Sequence, residues 1–157
     1  FFILNLPIGD KNTLEDCFDL YTKDEILDGD NMILNEKENK LEKAKKSIKF
    51  WNLPSILVIT IKRFTSSLKK DQRLVDFPLY DLDLSKYIVG YNKKTYKYDL
   101  YGICNHTGGT EGGHYTAFVK NANKSWYLFN DTRVSKVNES SIKTPNAYCF
   151  FYRKKIL

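Results

Sequence analysis

Long apolar runs are missing from this 157-residue chain. None approaches the roughly 20 residues that a membrane-spanning helix needs, so no membrane partner is expected. No secretory leader is legible, and no internal repeat appears. Cysteine is sparse: Cys17, Cys104 and Cys149 have no metal-ligand spacing, and an odd number suits free thiols rather than a disulfide framework. No metal and no cofactor are expected, and the thiols point to an intracellular chain, in cytoplasm or nucleus. Only two histidines occur, His106 and His114, so any imidazole chemistry rests on few candidates.

Aromatic residues are plentiful, with eleven Tyr and ten Phe. Together with ordinary apolar content they predict one β-rich globular domain rather than a disordered segment. The net charge of +6 raises the question of a nucleic-acid partner. The lysines, however, are spread along the chain with one dense run at 37–49. That pattern reads as a solvated face, so no nucleic-acid partner is expected.

The most informative stretch is Gly108-Gly109-Thr110-Glu111-Gly112-Gly113-His114-Tyr115-Thr116-Ala117. Four glycines precede a histidine, which opens an apolar strand to Val119. Glycine permits backbone angles and close approaches that a Cβ would forbid. The turn-forming cluster Asn121 to Lys124 and a second strand, Ser125 to Phe129, follow and end at Asn130-Asp131. This reads as a hairpin. A turn centred between Ala122 and Asn123 sets His114 opposite Asp131; a three-residue turn at 121–123 sets it opposite Asn130. Either register puts an amide or carboxylate about 5 Å across the ladder. A histidine held by Asn or Asp behind a glycine loop is two parts of a nucleophilic triad. The plainer alternative is a surface histidine beside a turn.

The rest of the chain reads as scaffold. Phe1 to Ile8 begins inside an apolar strand, as a piece of something longer would. Thr13 reads as an N-cap, with Leu14, Cys17, Phe18 and Tyr21 at helical spacing. A second short helix is expected at Lys23 to Ile26. Residues 31–35 and 41–51 read as strands around the charged connection Glu36 to Lys40. Ser55 to Phe64 is a central buried strand and Ser66 to Arg73 an exposed loop. Phe77-Pro78 and Asp81 to Leu84 resume the sheet. Thr95 to Ile103 alternates as a half-exposed strand. Val134 to Val137, a helical turn at 138–141 and a last strand Ala147 to Arg153 complete an antiparallel sheet with His114 at one end.

Three segments resemble the histidine box of the ubiquitin-specific proteases, papain-like cysteine hydrolases that cut after the C-terminal glycine of ubiquitin. They are Tyr98-Asp99-Leu100-Tyr101-Gly102-Ile103-Cys104-Asn105-His106, Gly112-Gly113-His114-Tyr115-Thr116-Ala117 and Trp126-Tyr127-Leu128-Phe129-Asn130-Asp131. Ala147 to Tyr152 resembles that family's closing strand, and the stretches 14–18, 53–64, 75–79 and 82–84 also match. The resemblance implies an α+β, β-dominated fold: an antiparallel palm-like sheet, a β fingers extension that grips ubiquitin, and a few short helices. It implies that the chain is the palm-and-fingers, C-terminal portion of a catalytic domain. Many relatives carry a Cys-x-x-Cys pair in the fingers, but Asn35 to Asn39 has no cysteine, so no zinc ribbon is expected and the tip is expected to be mobile.

The family's Asn-x-Gly-Asn-x-Cys box is also missing. Cys17 falls on an apolar helix face, and Cys104 and Cys149 fall inside strands, where thiols pack as small hydrophobes. The nucleophile and oxyanion donor are therefore expected in an upstream segment, a partner this chain needs, and the chain alone is expected to be inactive. By resemblance, His114 is the general base and then the general acid, and Asn130 orients its ring. Asp131 adds charge or holds a water. Gly112, Gly113 and Tyr115 wall a channel that admits only a Gly-Gly tail. The loops 66–73 and 107–113 overhang that groove. The expected partners are ubiquitin and ubiquitinated proteins. The rival reading is a catalytically inactive ubiquitin-binding module.

Overall fold

The computed structural model describes residues 3–65, 67 and 69–156. Phe1 and Phe2 of the expected first strand, and Ser66 and Leu68 of the 66–73 loop, lie outside the described residues.

The first strand, β1 (Leu4–Leu6), leads into α1 (Leu14–Thr22). Thr13 caps the helix: its Oγ1 accepts the Asp16 N–H at 3.1 Å, and Glu15 and Asp16 sit in the dipole-favoured first turn. Leu14, Cys17 and Phe18 are buried. The expected second helix is instead a strand, β2 (Glu25–Leu27). Lys23 adopts extended backbone and ends α1, and the residues that follow find β-partners twenty residues further on. Those partners form β5 (Ala44–Lys46), in register Glu25↔Lys46 and Ile26↔Lys45. Between them β3 (Ile33–Asn35) and β4 (Lys40–Glu42) form a second hairpin. The expected strand at 41–51 is thus split between β4 and β5. These two ribbons expose Ile26, Ile33, Leu34 and Leu41.

The main sheet is built from β6 (Ile56–Ile61), β7 (Leu82–Asp83), β8 (Lys97–Gly108), β9 (Gly113–Lys120), β10 (Trp126–Asn130), β11 (Arg133–Val137) and β12 (Ala147–Lys154), with β1 at one edge. Its order is β1-β6-β12-β8-β9-β10-β11, and β7 pairs with β8. Only β1 and β6 pair in parallel; β8 to β12 are mutually antiparallel. The last strand in sequence, β12, therefore occupies the middle of the sheet. Phe77-Pro78 does not join it; Phe77 packs its ring on Phe150 at 4.7 Å.

One face of the sheet is the core. Leu57, Ile59, Tyr98, Leu100, Ile103, Phe150 and Tyr152 are buried there with Phe18 and Leu14 of the helix. The two buried tyrosine hydroxyls reach carbonyls, Tyr98 to Pro54 at 2.9 Å and Tyr152 to Pro78 at 2.7 Å, as burial of a polar tip requires. The opposite face, with Val58, Thr60, Cys104, Ala117, Val119, Phe129 and Phe151, is only half covered. The run Ile56 to Ile61, read as buried on both sides, is thus central in the sheet but fully buried on one side. Among the described residues α1 is the sole α-helix; the other helical turns are short 3₁₀ segments.

Candidate active site

β8 extends to Gly108, five residues beyond its expected end, and pairs continuously with β9 from Gly102↔Val119 to Gly108↔Gly113. The glycine segment is accordingly a four-residue connection, 109–112, closed by Gly109 N–H donating to Gly112 O at 3.0 Å. Gly108 has φ +102, and a Cβ there would lie 2.5 Å from Gly112 O. A Cβ on Gly113 would lie 2.2 Å from His106 Nε2 and 2.3 Å from Thr107 O. Both positions demand glycine. Gly112 faces open space and does not.

The β9–β10 register differs from both expected alternatives. Phe129 pairs with Ala117 and Trp126 with Lys120, so the turn centres on Asn123. Lys124 takes a left-handed conformation (φ +61), and Asn121 N–H donates to Ser125 O, a three-residue loop with its last residue in αL. Continued by one pair, this register sets Asn130 beside Thr116, two residues along β9 from His114. His114 meets Asn130 diagonally rather than directly, and its ring is long enough to close the distance. Nε2 lies 2.6 Å from Asn130 Oδ1 and 3.8 Å from Asp131 Oδ2.

An acceptor oxygen on Nε2 holds the ring as the Nε2–H tautomer and leaves the Nδ1 lone pair free to take a proton. Asp131 sits at φ +50 in the two-residue turn between β10 and β11, a position that Asp tolerates well. Its side chain is 76% exposed, so water screens the charge it sets beside the imidazole.

Tyr115 points to the other face of β9. Its ring packs at a tilt against His106 with centroids 4.7 Å apart and lies 6.1 Å from Tyr148. Together with Phe64, His106, Gly112 and Gly113 it lines a cavity of about 310 Å³ open to solvent. An adjoining cavity of about 180 Å³ adds Ile61, Arg63, Lys70 and Tyr148.

His106, Lys70 and Arg63 are features of this site that motif reading had not assigned. His106 is buried; Lys70 Nζ donates to His106 O at 2.5 Å and Gly108 O at 3.1 Å, and lies 3.1 Å from His106 Nδ1. Burial first, and then the Lys70 ammonium, hold the His106 pKa below its ordinary value. Arg63 is 2% exposed. Its Nε and Nη2 donate to Ala147 O at 2.9 and 2.7 Å, and its Nη1 donates to Asp71 O and Arg73 O, both at 2.9 Å. Burial pushes the guanidinium pKa down, and the Asp71 carboxylate pulls it partly back. Arg63 thus ties the 66–73 loop to β12, and Lys70 ties that loop to the strand before the glycines. The sequence signal for this is slight: a polar doublet, Asn105-His106, closing an apolar strand, and one Arg after a β-branched run.

Cys17 is buried, and burial pushes its thiol pKa up. Cys104 and Cys149 lie directly opposite each other on β8 and β12. Among the described residues no group of three or more His, Cys, Asp or Glu could hold a metal ion, and no helix is long and apolar enough to cross a membrane.

A family model described as ubiquitin carboxyl-terminal hydrolase matches residues 11–152. The chain is 44% identical over 146 residues to ubiquitin carboxyl-terminal hydrolase 9 of Arabidopsis thaliana, covering 90% of this chain and 16% of that protein. It is 38% identical over 146 residues to ubiquitin carboxyl-terminal hydrolase 15 of Homo sapiens, covering 90% and 15%. Among solved structures, a yeast SAGA DUBm with an Sgf73 mutant superimposes with a TM-score of 0.86 at 33% identity, over 100% of this chain and 36% of that one. A SAGA DUB module of Ubp8, Sgf11, Sus1 and Sgf73 bound to ubiquitin aldehyde gives 0.83 at 31%, again over 100% and 36%. The chain spans about one sixth of the length of these curated relatives.

Proposed function

The chain belongs to the ubiquitin carboxyl-terminal hydrolase family, and on that footing we propose that it is the palm-and-fingers portion of a deubiquitinating thiol hydrolase. It supplies the histidine and its orienting amide to a cysteine carried by a segment outside this chain. The observation that carries the proposal is the 2.6 Å contact of His114 Nε2 with Asn130 Oδ1, at the end of a strand that a glycine turn introduces.

The chemistry runs through the free Nδ1 of His114. It takes the proton of the incoming thiol, and the thiolate attacks the carbonyl carbon of the last glycine of the ubiquitin tail. The imidazolium, kept in plane by Asn130, gives its proton to the leaving amine as the C–N bond breaks. Water then hydrolyses the thioester, with the same nitrogen as base. Asp131 adds a screened negative charge to the imidazolium stage. Gly112, Gly113 and Tyr115 line the open cavity next to the glycine turn that leads into His114, and in this reading that cavity takes the ubiquitin tail. The expected occupant is the Gly-Gly tail, which brings no side chains into that space. The exposed Ile26, Ile33, Leu34 and Leu41 of the β2–β5 ribbons suit contact with a folded ubiquitin body.

The test is to react the chain, and separately the longer protein that contains it, with ubiquitin bearing a thiol-reactive group at its C-terminus. Adducts are mapped by mass. The expected result is an adduct on the longer protein alone, at a cysteine outside these residues, abolished by His114→Ala. An adduct on Cys17, Cys104 or Cys149 would overturn the division of roles. Ubiquitin binding with no adduct on either would overturn the enzymatic reading in favour of an inactive binding module.

A further inference from the structure

The half-covered face of the sheet holds a feature the proposed hydrolysis does not use. Cys104 on β8 and Cys149 on β12 are register partners in antiparallel strands. Both project to the face shared by Phe151 and Ala117, since Gly102↔Phe151 and Cys104↔Ala117 are neighbouring pairs of the same parity. Directly opposed residues of antiparallel strands have Cα atoms about 4.5 or 5.5 Å apart. Both values fall inside the roughly 4.4–6.8 Å that a disulfide spans. The two thiols are free. They differ in access: Cys104 is half-buried, whereas Cys149 is 6% exposed.

We propose that Cys104 and Cys149 form a hydroperoxide-reactive dithiol that closes into a cross-strand disulfide between β8 and β12. The unequal exposure assigns the roles. Cys104 is the thiol that a small oxidant reaches from solvent, and Cys149 is the thiol that resolves the product. The electrostatics agree with this order. The interaction with Cys149 lowers the Cys104 thiol pKa from its ordinary value, while the same interaction and burial push Cys149 up. A thiol lowered in this way carries more thiolate at neutral pH than an ordinary cysteine, and the thiolate is the form that attacks peroxide.

In the first step the Cys104 thiolate attacks one peroxide oxygen and the O–O bond breaks. The sulfur is oxidised by two electrons to a sulfenic acid, and the peroxide's second oxygen leaves as hydroxide, which becomes water by taking up the proton that Cys104 released on ionising. In the second step Cys149 sulfur attacks Cys104 sulfur, the S–S bond forms, and the sulfenic hydroxyl leaves as water with the Cys149 proton. Two thiols and one hydrogen peroxide yield one disulfide and two waters. The bond would pin β8 to β12 two residues before His106 and one residue after Tyr148. Both of these side chains line the adjoining cavity of about 180 Å³.

The experiment treats the chain with hydrogen peroxide, blocks remaining thiols by alkylation, digests without reduction and maps the peptides by mass. The expected product has lost the mass of two hydrogen atoms, carries a Cys104–Cys149 cross-link that dithiothreitol reverses, and retains Cys17 as the free thiol. In Cys149→Ser a dimedone adduct accumulates on Cys104, and in Cys104→Ser peroxide leaves Cys149 unmodified. Oxidation of Cys17 at the same rate as Cys104, or cross-linking of separate chains in place of the internal bond, would overturn the proposal. So would oxidation that stops at a Cys104 sulfenic acid in the unsubstituted chain. The unsubstituted chain alone decides the matter if either variant folds poorly.

Discussion

Replacing Arg63 by methionine tests how the groove is held open to its ligand. The guanidinium is buried and donates to three backbone carbonyls, to Ala147 O twice and to Asp71 O and Arg73 O once each. Met fills much of the same volume but donates nothing. Ala147 O would then be buried without a partner, at a cost of about 1–3 kcal/mol. The other two hydrogen bonds are part-buried, so water can reach those carbonyls, and each loses about 0.5–1 kcal/mol. Relief of the buried charge offsets roughly 1 kcal/mol of this. The net loss is about 3 kcal/mol, which for a chain of this size lowers Tm by roughly 6–12 °C. Urea melts of both proteins measure the first figure and thermal melts the second. Arg63→Lys should recover less than half of the loss, because a lysine ammonium lacks the planar fork that serves Ala147 O twice. Hydrogen exchange in residues 69–73 should quicken in both variants. A Met variant within about 1 kcal/mol of the unsubstituted protein, with unchanged exchange, would refute the idea that Arg63 holds the loop to β12.

Other expectations follow from the same geometry. Gly113→Ala drives a Cβ into Thr107 O and His106 and should cost about 1–3 kcal/mol and weaken ubiquitin binding, measured by calorimetry. Gly112→Ala meets open space and should leave stability unchanged in the same melts. In the longer protein, Asn130→Ala should lower kcat by about 10²–10⁴ with little change in KM, since the ring loses its tautomer-fixing acceptor; Asn130→Asp should retain most of the rate. Because the folded His106 pKa is depressed, the unfolded chain binds the proton more tightly. Stability is complete above the unfolded value near 6.5 and declines as pH falls from there toward the folded value. His106→Gln should flatten that decline, read as the difference between urea melts at pH 7 and pH 5. Thr13→Ala removes the cap of α1 and should cost about 1 kcal/mol in the same assay.

Local chemistry was enough to read α1 with its Thr13 cap, the alternation of Tyr96, Tyr98 and Leu100 against Lys97, Asp99 and Tyr101, and the approach of Asn130 or Asp131 to His114 behind a glycine segment. The first two depend on residues a few positions apart and the third on a single hairpin, where propensity, periodicity and turn chemistry act directly. The strand at 25–27 escaped that logic because its partner lies twenty residues away and three residues are too few to show a period. The β9–β10 register escaped it because one left-handed residue, Lys124, moves the centre of the turn by half a residue from one expected register and a full residue from the other, and so exchanges a facing partner for a diagonal one. The distant ties were beyond sequence reading altogether. Arg63 to Ala147, Lys70 to His106 and Cys104 to Cys149 join strands whose neighbour relations exist only once β12, last in the chain, has inserted between β6 and β8. Composition and spacing determined which chemical groups this chain brings. The insertion of β12 decided which of them meet, because hydrogen-bonded sheet neighbours are set by the packing of the whole core and not by any local run of residues.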